Sequence, residues 1–337
     1  MTFRNDFSRT LLAAAAVLAF ATQAANSASL RLGSGFGDKH ASTIALKTVF
    51  ASEVEKRTEG RHTVKVFANS ELGQAPEMIN QAQSGINFGV FVSSAHYNAQ
   101  VPEIGVTNLP FVFPDRETAF KVMDGPSGQA IAARFEDKDL VVLGIMELGF
   151  RNLTNAKHPI TEPKDVAGLK IRLQNNPIHI ATFELLGASP TSIDASEMFS
   201  ALSQGVVDGQ ENPYTVINSF QLYDAKQKYL SNTGHFFDVI VFAVSKRAFD
   251  KMTPEDQAAI REAGRMATLE QRRLAATQDD DNLKQLLTHD VAYTELTPEQ
   301  RAVFRDATAP VYQQVKDKVG AETFDSFMAA VAAESPK

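Results

Sequence analysis

The chain has 337 residues, 44% of them hydrophobic and 22% charged, which is enough material for two globular domains. Its formal net charge of −7 argues against nucleic acid or an anionic membrane surface as the main partner, and it means that an acidic ligand must be captured by local positive charge. There is no cysteine, hence no disulfide framework, thiol nucleophile or cysteine metal site.

Residues 1–28 read as a secretory signal. Arg4 and Arg9 give the positive start, residues 11–20 are apolar, and small residues follow, with cleavage after Ala24 or Ala28. The apolar run is too short to span a bilayer, and no later stretch is apolar enough to do so. The expectation is an exported chain that works in the periplasm or the extracellular space, and the periplasm is the reading adopted.

Residues 30–33 predict a strand. The glycine-rich stretch 33–38 invites a dinucleotide reading, but Asp38 stands where that fingerprint needs its third glycine and would repel a pyrophosphate. These glycines suit a turn at the lip of a cleft, with His40 at its end. A helix over 41–58 is closed by Gly60, and 64–67 form the next strand. A helix over 75–83 ends at Ser84-Gly85. Residues 88–92 are almost continuously apolar, as in a parallel strand covered on both faces, and Ser93 lies at the end where ligands bind. Residues 109–114 read as a packed loop, 116–123 and 128–138 as helices, and 140–146 as a strand. Alternating strands and helices imply a doubly wound α/β domain, and a second such pattern starts after a crossover at 147–151.

In 169–173 the apolar Leu169, Ile171 and Leu173 share one face of a strand, and Lys170 and Arg172 the other. Asn176 is a good helix N-cap, Pro177 a good first helical residue, and Gly187 a left-handed stop. Arg172 therefore sits where a strand ends and a helix begins, beside free N–H groups and partial positive charge. With the Asn175–Asn176 turn it reads as a carboxylate site; spacing alone leaves an ordinary surface ion pair equally open. Further on, Asp194 and Glu197 form a capping-box pattern, Gly205 ends that helix, and 206–208 read as a buried strand running into a polar turn. Residues 236–244 predict a strand returning to the first domain. A helix starts at Thr253-Pro254 and persists to about residue 287, another starts at Thr297-Pro298, and the last covers 322–333. No internal repeat or low-complexity linker is evident.

The order Gly-Leu-Lys-Ile-Arg (168–172), Leu-Leu-Gly-Ala-Ser-Pro-Thr (185–191), Ser-Glu-Met-Phe-Ser-Ala-Leu (196–202) and Val-Asp-Gly-Gln-Glu-Asn-Pro (207–213) resembles the substrate-binding subunit of tripartite ATP-independent periplasmic (TRAP) transporters, the dicarboxylate-binding-protein type. Weaker matches at 70–73, 109–113, 124–126 and 149–152 extend the resemblance over nearly all of the chain after the signal. The resemblance implies an α/β, two-domain Venus-flytrap fold with a ligand cleft between the domains and a long helix spanning both. The expected boundaries are 29–148 plus 238–278 for domain I and 149–237 plus 279–337 for domain II. It also implies capture of a small organic acid and its delivery to the small and large membrane subunits of a TRAP permease, with no cofactor and no catalysis, by a chain that works as a monomer. Carried over residue by residue, Arg172 contacts the ligand acid group, Asn212 holds the carboxylate beside it, and Arg151 is a second cleft arginine. Gln174, Asn175 and Ser93 are further contacts. Many relatives have an aromatic where this chain has Ala195, so either the pocket is roomier there or an aromatic such as Phe150 or Phe236 fills the space. The polar Gln174, Asn175 and His179 lean toward a hydroxylated acid.

The seven histidines form no metal-ligand pattern, and there is no nucleophile elbow or P-loop lysine. Asp279-Asp280-Asp281 lacks the glycine and spaced ligands of a calcium loop and reads as a solvated helix face. Three other functions stay open from the residues: a sugar-binding protein of an ATP-driven importer, which the absence of Trp disfavours; an exported hydrolase or lyase using Asp208 and Glu211; and a sensory partner that presents ligand to a receptor.

Overall fold

Two long antiparallel strands tie the architecture together. In the computed structural model, which describes residues 28–336, β1 (Ala28–Gly33) leads through α1 (Ala41–Ala45), a π turn (Leu46–Phe50) and α2 (Ala51–Arg57) to β2 (His62–Phe67), α3 (Ala75–Ser84) and β3 (Gly89–Ser93). Helices α4 (Arg116–Asp124) and α5 (Pro126–Ala133) precede β4 (Leu140–Asn155). Next come β5 (Lys170–Leu173), α6 (Pro177–Leu185), β6 (Ser189–Ser192), α7 (Ala195–Gln204), β7 (Gly209–Asn212), α8 (Tyr214–Ser219) and β8 (Tyr229–Ser245). The chain closes with α9 (Lys246–Phe249), α10 (Pro254–Leu286), β9 (Ala292–Glu295), α11 (Pro298–Thr308), α12 (Pro310–Val319) and α13 (Ala321–Glu334). Apart from Ala28, the expected signal at 1–28 lies outside the described residues.

The strands form one sheet in the order β2-β1-β3-β8-β4-β7-β5-β6, with β9 on β8. β1 lies parallel between β2 and β3, and β5 lies parallel between β6 and β7. Each lobe thus carries the same β-α-β-α-β unit about its central strand. The repeat leaves a faint trace in the residues: Ala75, Glu77, Met78, Gly85 and Gly89 recur at the same spacing as Ala195, Glu197, Met198, Gly205 and Gly209, among otherwise different side chains. β4 and β8 have 16 and 17 residues, roughly 50 Å of extended chain, and so run through both lobes. One half of the β4–β8 ladder borders β3 through Ile240–Val244 of β8, and the other borders β7 through 152–155 of β4. Between the halves the register shifts at Glu147/Gly149. There the long helix α10 clamps the backbone: Glu147 N donates to Gln271 Oε1 at 2.8 Å, and Gln271 Nε2 donates to Glu147 O at 2.7 Å.

β3 is buried on both faces, with Phe91 against Phe50 and α10 on one side and Val90 and Val92 against α3 and α4 on the other. The second lobe packs Ile171, Leu173, Phe183 and Phe236 against Phe304 of α11. Phe324, Phe327 and Val331 of α13, with Val311 and Val315 of α12, join the first-lobe core. That placement runs against the boundary carrying 279–337 into domain II. Two local expectations are also corrected. Residues 206–208 are a bend, and the strand is the polar Gly209–Asn212, every residue of it buried. Asp194 does precede α7, but its side chain makes no capping bond.

Candidate functional site

The C-terminal ends of β1, β3, β5 and β7 converge from the two lobes, because each central strand faces the switch point of its own parallel unit. Between them lies a cleft with about 650 Å3 of empty space, part of it open to solvent. The first lobe lines it with Gly35, Phe36, Ser70, Gln74, Ser93 and His96; the second with Arg172, Gln174, Asp194, Met198, Asn212, Val216 and Phe220. At its mouth Gln74 Nε2, at the start of α3, donates to Ser196 Oγ of α7 at 2.8 Å, so the lobes are drawn together.

Arg172 has the charge that this cavity offers a ligand. Its Nε donates to Ile193 O at 2.8 Å, which fixes the plane of the guanidinium. The residue is 3% exposed, yet no described carboxylate pairs with it within 4.0 Å. Burial lowers its pKa to about 10, with the nearby positive charge of Arg151 adding to the effect. Of the three buried arginines among the described residues, Arg151 and Arg272 each have carboxylate partners. Arg172 alone is buried and unmatched, a costly arrangement unless an anion is to arrive.

Arg151 departs from the expectation of a cleft contact: it does not line the cavity and belongs to the wall behind it. Fully buried, it spends its donors on Glu211 (Nε at 2.5 Å, Nη2 at 2.8 Å), on Asp238 (Nη1 at 2.9 Å) and on Asn212 Oδ1 (Nη2 at 3.0 Å). Burial disfavours its charge, but Glu211 and Asp238 outweigh that and hold its pKa above the ordinary value. Burial likewise opposes ionisation of Glu211, and Arg151 with His235 overcomes it, keeping the carboxyl well below the usual range. For Asp238 burial wins, and the pKa is raised. With the Gln174 amide oriented so that its oxygen accepts from Arg151 Nη1 at 3.0 Å, its nitrogen donates to His96 Nε2 at 3.2 Å. Burial, then Arg172 and Arg151, lower His96 to about 4, so it is neutral and carries its proton on Nδ1. Asp238 also accepts from Ser93 Oγ at 2.7 Å. One buried network therefore orients Asn212, Gln174, His96 and Ser93 at the cavity.

Of the residues singled out in the sequence, Arg172, Asn212, Gln174 and Ser93 line the cavity. Besides Arg151, the residues Asn175, His40, Phe150 and Phe236 do not. Asn175 is exposed at the turn, because the N-cap role falls to Asn176, whose Oδ1 accepts from Ile178 N at 2.8 Å. His40 caps α1 and stacks under Phe36 at 4.3 Å, so Phe36 takes the cavity face. Phe150 packs on Phe237 at 4.9 Å in the first-lobe core, and the wall near Ala195 is completed instead by Met198, Val216 and Phe220. Phe236 is also elsewhere, stacked on His179 at 4.1 Å. Sequence reading missed Phe36, His96 and Asp194. Phe36 stands in the glycine-rich turn and His96 three residues past β3, so each could have been found from its place after a strand end. Asp208 caps a turn, accepting from Lys170 N at 2.9 Å and pairing with Lys157 at 3.2 Å, and is not part of the cavity.

The profile of bacterial extracellular solute-binding protein family 7 (DctP) matches residues 32–318. The chain belongs to this family. A solute-binding protein of Verminephrobacter eiseniae is 38% identical over 288 residues, covering 85% of this chain and 84% of its own. Among solved structures, the sugar acid binding protein DctPAm of Advenella mimigardefordensis, in complex with galactonate, superposes with a TM-score of 0.88 at 34% identity, covering 92% of this chain and 99% of that one. A TRAP periplasmic solute binding protein of Polaromonas sp. JS666, bound to D-erythronate, superposes at 0.86 with 35% identity, covering 90% and 99%. Family 7 proteins are the binding components of transport and not enzymes, and they work outside the cytoplasm with membrane permease subunits. No described helix of this chain is long and apolar enough to cross a membrane.

Proposed function

We propose that this family 7 protein captures a small hydroxylated organic acid in the cleft and hands it to a TRAP permease made of a small and a large membrane subunit. The ligand carboxylate pairs with Arg172 beside Asn212, while Ser93, Gln174 and His96 meet its hydroxyl groups. The observation that carries this reading is the buried, unpaired guanidinium of Arg172 in a cavity whose other polar groups are held in place from behind. The galactonate and D-erythronate of the two similar structures support it, since both are hydroxylated monocarboxylates. Exclusion of water on closure strengthens the charge pair. One chain supplies both walls of the cleft, so a monomer suffices, and the mature protein acts in the periplasm after its signal is removed. The importer-sugar alternative is not favoured: the cavity has no tryptophan platform, and an uncharged sugar would leave Arg172 buried without a counter-charge.

A thermal-shift screen of organic acids and neutral sugars tests this reading. A ligand at a hundred times its Kd stabilises the native state by about 2.7 kcal/mol, a rise of several degrees. Hydroxylated acids are expected to give that rise and their amides and parent sugars none. A rise with neutral sugars and none with acids would overturn the reading.

A further inference from the structure

We propose that Asp194 makes this cleft selective for hydroxylated monocarboxylates against dicarboxylates built on the same carbon skeleton. The inference rests on the reading that Arg172 receives a ligand carboxylate. Among the described residues, the charged side chains lining the cavity are one cation, Arg172, and one anion, Asp194. His96 also lines it and is neutral there.

Asp194 has no intramolecular task for its carboxylate. Its backbone starts α7, but its side chain makes no capping bond and no ion pair within 4.0 Å among the described residues. The carboxylate stands at the N-terminal end of a ten-residue helix. Its backbone is held close to Arg172, because the carbonyl that receives Arg172 Nε belongs to Ile193, the residue immediately before it, while the residue itself is exposed at the edge of the cavity. The two opposite charges are thus set along one wall, unpaired with each other.

An ionised carboxylate is an acceptor only, and a hydroxyl is the ligand group that meets it best, in a short charge-assisted bond. A second ligand carboxylate has no proton to donate at neutral pH. It finds no second cation among the lining residues and feels the charge of Asp194. The remaining polar groups, Ser70, Gln74, Ser93, Gln174 and Asn212, are neutral and suited to hydroxyls. Discrimination therefore comes from a repulsive group as well as from attractive ones.

The test is calorimetric titration at pH 7.5 with two matched pairs: D-erythronate with meso-tartrate, and D-galactonate with galactarate. Within each pair the members differ only by oxidation of the terminal CH2OH to a carboxylate. Wild type is expected to bind the monocarboxylate about tenfold or more tighter, with the preference shrinking as salt rises. Asp194→Asn, which keeps the shape and removes the charge, is expected to cut the preference about tenfold, by gaining affinity for the diacid and losing some for the monoacid. Asp194→Ala removes the acceptor as well, and should weaken the monoacid further. Melting temperatures of the ligand-free variants check the fold. If Arg172→Ala abolishes acid binding while Asp194→Asn leaves the ratio unchanged within about twofold, the selectivity role is overturned and the carboxylate site stands. If neither pair binds, the acid that most raises the melting temperature is used with its terminally oxidised counterpart. A protein that binds no acid, or binds acids equally well without Arg172, overturns both.

Discussion

Arg151 and Arg172 are both buried at the cleft, one behind its wall and one lining it, and have opposite jobs. Arg151 is matched by Glu211 and Asp238, so its removal leaves two buried carboxylates facing each other. Arg151→Ala is expected to destabilise the fold by about 3–5 kcal/mol in urea titration, and to weaken ligand binding only through that damage. Arg172 has no carboxylate to abandon. Arg172→Ala should leave the ligand-free stability within about 1 kcal/mol of wild type, measured the same way. A large loss in Arg172→Ala with none in Arg151→Ala would reverse the assignment. Glu147 offers a further test at this scale. It is 2% exposed, and it shares Arg116 with Asp279, at 3.4 and 3.3 Å. Burial raises its pKa to about 7, with Arg116 offsetting part of the effect and Asp279 adding to it. A carboxyl raised in the folded state holds its proton there more tightly than in the unfolded chain. Its contribution is full below the ordinary value near 4.5 and is lost as pH rises through 7. Glu147→Gln mimics the protonated form, so it should match wild type near pH 4.5 and exceed it by about 1–3 kcal/mol at pH 8 in urea titrations.

At the scale of elements, the β-α-β-α-β units of the two lobes meet the central strands in the same way. α3 and α7 end at left-handed Gly85 and Gly205, and four residues later Gly89 and Gly209 open β3 and β7. A Cβ on Gly89 would lie 2.7 Å from the carbonyl of Ala243 on β8, and one on Gly209 would press still closer on the carbonyl of Thr154 on β4. Gly209→Ala is therefore expected to destabilise by about 1–3 kcal/mol in urea titration and to weaken ligand binding by shifting Asn212 at the far end of β7. Wild-type stability in that variant would show that the strands can part. These elements also show what the residues disclose and what they do not. β5 and the start of α6 are legible because their causes are local: an alternating strand, a capping Asn176 and Pro177 at the first helical position. The carboxylate end of the site follows from them. β7 is not legible, since Gln210, Glu211 and Asn212 look like a turn until Thr154 and Arg151, roughly sixty residues away, bury them. The role of Arg151 is hidden for the same reason, because Asp238 lies 87 residues from it in sequence. Phe36 takes the cavity face in place of His40, a choice of facing that spacing does not determine.

For the molecule as a whole, function requires two lobes that shut on an anion and later release it. β4 and β8 run through both lobes, and α10 holds β4 at the register shift through Gln271. The mouth is held by the Gln74–Ser196 hydrogen bond, exposed and joining the lobes. A net hydrogen bond is worth about 1 kcal/mol, so Ser196→Ala should weaken affinity by about fivefold, chiefly through faster ligand release in stopped-flow experiments. An unchanged off-rate would mean that this contact does not guard the cleft. In the proposed reading the charge that makes closure worthwhile is the one on Arg172, and losing a buried charge partner costs about 2–5 kcal/mol. The most direct measurement is calorimetric titration of wild type and Arg172→Ala with the acid that most raises the melting temperature. The expected result is an affinity lower by a factor of roughly tens to thousands in the variant, with its ligand-free melting temperature preserved; equal affinity in the two proteins would contradict the account.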